Sequence, residues 1–98
     1  MAKLRWTSEA QNWLEDIHAY IAEDAPESAT DVILGIYKKA QVLKQYPRVG
    51  YKYKDDDEGE IRILLYGHYR IAYLIKDDDI IDILGVFHGA LEIERYLP

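Results

Sequence analysis

The 98-residue sequence contains no cysteine, three prolines, a single methionine and a single phenylalanine. Without cysteine there are no disulfide staples and no thiol chemistry, which fits a reducing compartment. Long hydrophobic runs are also missing. Lys3 and Arg5 interrupt the first residues, charges recur through the segment that follows, and no stretch approaches a membrane span. A cytoplasmic protein that does not enter a membrane is therefore expected. Positive charge is the remaining shortage: 12 Lys and Arg face 18 Asp and Glu, for a formal net charge of −6. Nucleic-acid phosphate repels such a chain on average, because affinity for that polyanion comes mostly from clustered Lys and Arg.

The composition that remains is that of one small domain spanning 1–98. It is 49% hydrophobic, with nine Tyr and two Trp, which suffices for one core in a chain that buries only about two thirds of its unfolded surface. The acids are unevenly placed. Asp55, Asp56, Asp57, Glu58 and Glu60 form one run, and Asp77, Asp78 and Asp79 another. Both read as connections, remote from a face that keeps Arg48, Lys52, Lys54, Arg62 and Arg70. The first run lacks the ligand spacing of a calcium loop, and the three histidines have no metal-site spacing, so neither a metal nor another cofactor is expected.

Leu4 to Thr7 reads as a short strand, with Ser8 as N-cap of a helix and Glu9 in its first turn. Ala10, Trp13, Leu14, Ile17 and Ile21 make one apolar stripe. Asp24-Ala25-Pro26 marks a second helix start, an acid able to cap followed by a proline suited to the first turn. Ala29, Val32, Ile33, Ile36, Tyr37, Ala40, Leu43 and Tyr46 continue that helix, which must stop before Pro47. The short connection predicts an antiparallel helical hairpin, with Tyr37, Tyr46 and both Trp in the core. Tyr51 and Tyr53 alternate with lysines, and Ile61 to Tyr66, Tyr69 to Ile75 and Ile80 to Phe87 are rich in β-branched and aromatic residues. Gly67-His68 and Asp77-Asp78-Asp79 are turn chemistry, so the last three strands form an antiparallel meander. Leu91, Ile93, Tyr96 and Leu97 end the chain as a short helix or an extended segment. The expected fold is α+β: an N-terminal strand, then an antiparallel helical hairpin packed on one face of a small antiparallel three- to four-stranded sheet whose other face stays open.

Arg70 stands out because it lies mid-strand in an apolar run. There a guanidinium is costly unless it reaches solvent or meets a carboxylate such as Asp82. Arg62 joins it on one face or opposes it according to the length of the Gly67-His68 turn: a two-residue hairpin sets Arg62 opposite Tyr73, facing away from Arg70. Lys52 and Lys54, alternating with tyrosines, are either a stacking strip for single-stranded RNA or lysine protection of a sheet edge. His88 ends the last strand, as an acid–base group or as a strand-end histidine bonded to a neighbouring turn.

Taken in order, Arg62-Ile63-Leu64, Tyr69-Arg70-Ile71-Ala72-Tyr73 and Ile83 to Ala90, preceded by two amphipathic helices and the turn Pro47-Arg48-Val49-Gly50, resemble the ParE/RelE superfamily of toxins from bacterial toxin–antitoxin modules. The superfamily holds ribosome-dependent mRNA endonucleases of the RelE type and ParE-type toxins that act on DNA gyrase. The resemblance implies that Arg70 takes the place of a phosphate-contacting arginine. The lysines that precede it in the RelE pattern fall near Ile61 and Ile63 here, and the basic residue after the last strand near Gly89. The ending His88-Gly89-Ala90 is similar to the ParE branch. The resemblance thus implies a gyrase-poisoning toxin held by a cognate antitoxin in a hetero-oligomer, with Arg62, Arg70 and His88 facing the target and Tyr96 and Leu97 facing the antitoxin. The alternative it leaves open is an mRNA endonuclease acting at the ribosome through Arg70, His88, Lys52 and Lys54.

Overall fold

A computed structural model describes residues 2–97 except 78, and the side chain of residue 77 is likewise outside the description. The order is β1 (Lys3–Trp6), α1 (Ser8–Ala22), α2 (Pro26–Ala40), a 3-10 turn at Gln41–Lys44, β2 (Tyr51–Asp56), β3 (Gly59–Tyr66), β4 (Tyr69–Asp77), β5 (Ile80–His88) and a last 3-10 turn at Ile93–Arg95. The expected α+β architecture is present, with the sheet extended to five strands in the order β1-β5-β4-β3-β2. The helical hairpin lets β1 return beside β5 in parallel, Lys3 to Trp6 against Ile80 to Ile83, while the other pairings are antiparallel. Of the acidic turn after β4, Asp78 lies outside the described residues. No helix among them is long and apolar enough to cross a membrane.

The start of α1 is one residue earlier than the cap chemistry of Ser8 suggests. Thr7 is the N-cap: its Oγ1 accepts from the Ala10 N–H at 3.1 Å and donates to the Ile83 carbonyl at 2.7 Å. One hydroxyl therefore satisfies a free helix N–H and ties the helix to β5, a tertiary contact that decides between two adjacent capping residues. At α2, Ala25 holds the cap position with no side-chain bond, and Pro26 opens the helix. Asp24 does not cap, because Ala25 occupies the cap position and leaves Asp24 one residue further out.

The helix-side core joins Ala10, Leu14, Ile36, Ala40 and Leu43 to Ile71, Tyr73, Ile83 and Val86 of the sheet. The opposite face is not left open. Ile61, Ile63, Ala72, Leu74 and Phe87 are roofed by Ile93 and Leu97 from the C-terminal segment, with Trp13 and Leu91 alongside. A strand with apolar side chains on both faces needs cover on both, and the last residues of the chain supply it. Two tyrosines expected in the core are surface groups instead. Tyr37 lies tilted against Trp6 at 4.6 Å and is 36% exposed; Tyr46, past the end of the helix, is 60% exposed.

Candidate functional site

The turn at Gly67-His68 has two residues, Gly67 taking the left-handed φ of 56° that a tight hairpin demands. Arg62 consequently stands opposite Tyr73, and Arg70 opposite Leu65 and Phe87. The two arginines point to opposite faces of the sheet.

Arg62 is occupied within the fold. Its Nε donates to Glu60 Oε1 at 2.6 Å and its Nη1 to the carbonyls of Arg48 (3.2 Å) and Gly50, leaving its side chain 17% exposed. Arg48 completes the cluster, its Nε 3.5 Å from Glu60 Oε2. Beside it the Tyr73 hydroxyl accepts from the Gly50 N–H at 3.1 Å and donates to the Pro47 carbonyl at 2.7 Å, and burial pushes its pKa up. Together these bonds clamp the Pro47–Gly50 turn, and Gly50 packs so closely that an added Cβ would lie 2.5 Å from the Ile63 carbonyl oxygen. Glu60, grouped by sequence with an acidic hairpin tip, belongs to β3 and to this clamp.

Arg70 reaches across the second face, where its Nη2 donates to the Leu91 carbonyl and its Nε is buried with no partner among the described residues. It does not meet Asp82. That carboxylate is bound two-pronged by Arg5, at 2.7 and 3.2 Å, with Lys76 Nζ at 3.7 Å; the Arg5 hydrogen bond, partly opposed by burial, lowers its pKa. The parallel strand β1 places Arg5 opposite Asp82, a pairing that no local pattern could reveal.

His88 stands opposite Tyr69 and edge-on to it at 5.7 Å, with the His68 ring at 6.2 Å. Its Nδ1 accepts from the Ala90 N–H at 3.2 Å, and the Gly89 N–H donates to the His68 carbonyl at 2.7 Å. The bond to Ala90 is the contact that the strand-end reading expects. It also lines an apolar groove of about 410 Å³ with Trp13, Ile17, Tyr20, Tyr69 and Leu91. Lys52 and Lys54 lie on the edge strand β2, opposite Arg62 and Ile61, and Lys52 pairs with Asp55 at 2.8 Å.

The four residues of a nuclease are therefore not brought together. Arg70 and His88 share one end of the sheet on opposite faces, and the lysines stand on β2, two strands from Arg70 and three from His88, opposite Arg62 and Ile61. Of the pair expected at an antitoxin surface, Leu97 is 9% exposed beneath its own fold, while Tyr96 is 47% exposed and stacks on Phe87 at 5.6 Å and edge-on to Trp13 at 5.0 Å. Two features escaped the sequence. The Trp13–Phe87–Tyr96 cluster joins residues from three distant segments. The Glu60–Arg62 pair had a local signal, opposite charges two apart on one strand face.

Comparisons with known proteins give one consistent picture. Residues 4–92 match the family described as "ParE toxin of type II toxin-antitoxin system, parDE". A curated protein of Sinorhizobium fredii (strain NBRC 101917 / NGR234), named "Putative toxin Y4kP", is 34% identical over 87 residues, covering 89% of this chain and 88% of that protein. Among solved structures, "Chromosomal ParDE TA system from P. aeruginosa" superposes with a TM-score of 0.75 at 21% identity, covering 90% of this chain and 96% of that one. At that identity the superposition speaks for the fold.

Proposed function

Because the chain belongs to the ParE family, the toxins of type II toxin–antitoxin systems, we propose that it acts in the cytoplasm by binding and poisoning DNA gyrase, and that a cognate antitoxin protein neutralises it. The observation that carries a binding mode over a chemical one is the dispersal of the basic residues. RNA cleavage needs a general acid or base and phosphate-binding cations around one scissile bond, with donors already aimed at the developing charge. Here Arg62 is spent on Glu60 and the Pro47–Gly50 turn, Arg70 and His88 face opposite ways, and Lys52 and Lys54 lie at the far edge.

A binder asks for less. It needs a preformed patch with aromatic anchors, and the groove lined by Trp13, Tyr20, Tyr69 and His88 has that character, with Arg70 at the same end of the sheet on its other face. Arg62, engaged by Glu60 and the Pro47–Gly50 turn, is not part of that patch.

The test is a supercoiling and cleavage assay with purified chain, gyrase, plasmid and ATP. Wild type should block supercoiling or trap cleaved plasmid, and Arg70→Ala should weaken the effect by about tenfold, the loss usual for one anchor residue. Gyrase left untouched at large excess, together with mRNA cut on translating ribosomes, would replace this reading with the endonuclease.

A further inference from the structure

From Val32 to Lys54 the sequence carries six cations, Lys38, Lys39, Lys44, Arg48, Lys52 and Lys54, and no acid. Every one of the 18 acids lies elsewhere, against the six other cations. In the fold this stretch runs from the C-terminal half of α2 through the 3-10 turn and the clamped Pro47–Gly50 turn into the start of edge strand β2. The later β2 residues Asp55 and Asp56 are acidic, and Lys52 and Lys54, opposite Arg62 and Ile61, point to different faces of the sheet; the basic sector is therefore the part from Lys38 to Val49. Lys38 and Lys39 are exposed and have no ion pair among the described residues, whereas Arg48 is held to Glu60.

Apolar groups share the sector. Tyr46 is 60% and Val49 54% exposed. Tyr46, Pro47, Arg48 and Val49 line a hollow of about 420 Å³, and a second, of about 360 Å³, lies between Lys38, Lys39, Val42 and Tyr66. The turn that displays them is held by the Tyr73 hydroxyl and Arg62, so ordering it on binding costs little entropy.

We propose that this sector is a docking face for a protein segment that carries carboxylates beside apolar side chains, and, resting on the reading above, that the segment belongs to the antitoxin. Charge complementarity selects the occupant. At physiological salt fields decay over about 8 Å, so a local cationic face attracts acids although the whole chain is negative. A nucleic acid fits less well. Its phosphates would leave Tyr46, Val49 and the hollow at Pro47 unfilled, and a rigid duplex would bring further phosphates toward the acidic remainder. Tyr, Arg and a filled apolar hollow are the usual composition of a protein hot spot.

The test measures the affinity of the full chain for its cognate antitoxin, across a salt series. Two variants are compared with wild type: Lys38→Glu/Lys39→Glu for charge, and Tyr46→Ser/Val49→Ser for the apolar hollow. All four positions are exposed on the surface, so both variants keep the fold. Each should bind the antitoxin at least about tenfold more weakly, and the charge variant should also lose most of its salt dependence. Affinities within about twofold of wild type for both variants would overturn the proposal. So would a fluorescein-labelled DNA duplex that binds wild type and not the charge variant while antitoxin affinity stays intact. Gyrase inhibition is recorded in parallel. If wild type leaves gyrase untouched while the variants lose the antitoxin, the docking face stands and only the target is wrong.

Discussion

At the residue scale, Tyr73 does the most with the least. Its ring is fully buried in the helix-side core, and its hydroxyl serves as both acceptor and donor for the turn that connects the helical half of the chain to the sheet. Tyr73→Phe keeps the packing but leaves the Gly50 N–H and the Pro47 carbonyl without that partner. The expected cost is about 1–3 kcal/mol, the usual penalty for orphaning buried backbone groups, read as a lower urea midpoint with an unchanged slope. A midpoint equal to wild type would show that water satisfies those groups. Arg70 is the contrary case. Among the described residues its Nε has no partner and its Nη2 bonds the Leu91 carbonyl, so a guanidinium set in an apolar strand gains little there to offset its desolvation.

At the element scale, β1 is the piece whose attachment is most exposed to solution conditions. It is four residues long, on a sheet edge, and pinned by Arg5 to Asp82. The Asp82 pKa is depressed in the folded state. The pair's contribution is therefore fully present above the ordinary carboxylate pKa of about 3.9 and disappears as pH falls through the lower folded value. Asp82→Asn should destabilise the protein by about 1 kcal/mol at neutral pH, a figure reduced because Arg5 is half exposed. In strong acid the two proteins should unfold alike. Thermal melts across an acid series give the comparison, and a difference that persists below the folded pKa would assign the effect to packing instead.

On the scale of the whole molecule, the sheet is covered twice, by the helical hairpin and by a thinner lid from the chain's last residues. The lid is anchored through Ile93 and Leu97, 4% and 9% exposed, and by Tyr96 on Phe87. Ile93→Asp/Leu97→Asp should release it and bare Ile63, Leu74 and Phe87. The released protein should bind an apolar dye and self-associate, as exposed apolar sheet faces do. Fluorescence and light scattering would report both, and a monomeric variant that ignores the dye would show that the hairpin face alone suffices.

By itself the sequence determined the helices and strands and their order, because helical and strand periodicities are local and the turns at Pro26, Pro47 and Gly67 punctuate them, though it ran the second helix on to Tyr46 where α2 ends at Ala40 and a 3-10 turn follows. It determined, too, that a two-residue turn would part Arg62 from Arg70, since side chains alternate along a strand. Tertiary structure alone decided that Thr7 rather than Ser8 caps α1, that Asp82 belongs to Arg5, that Glu60 joins a clamp, and that Leu97 is core. Each of those partners is fixed by the packing of segments distant in the chain, or by which side of a sheet another segment covers, and no window of sequence contains that information.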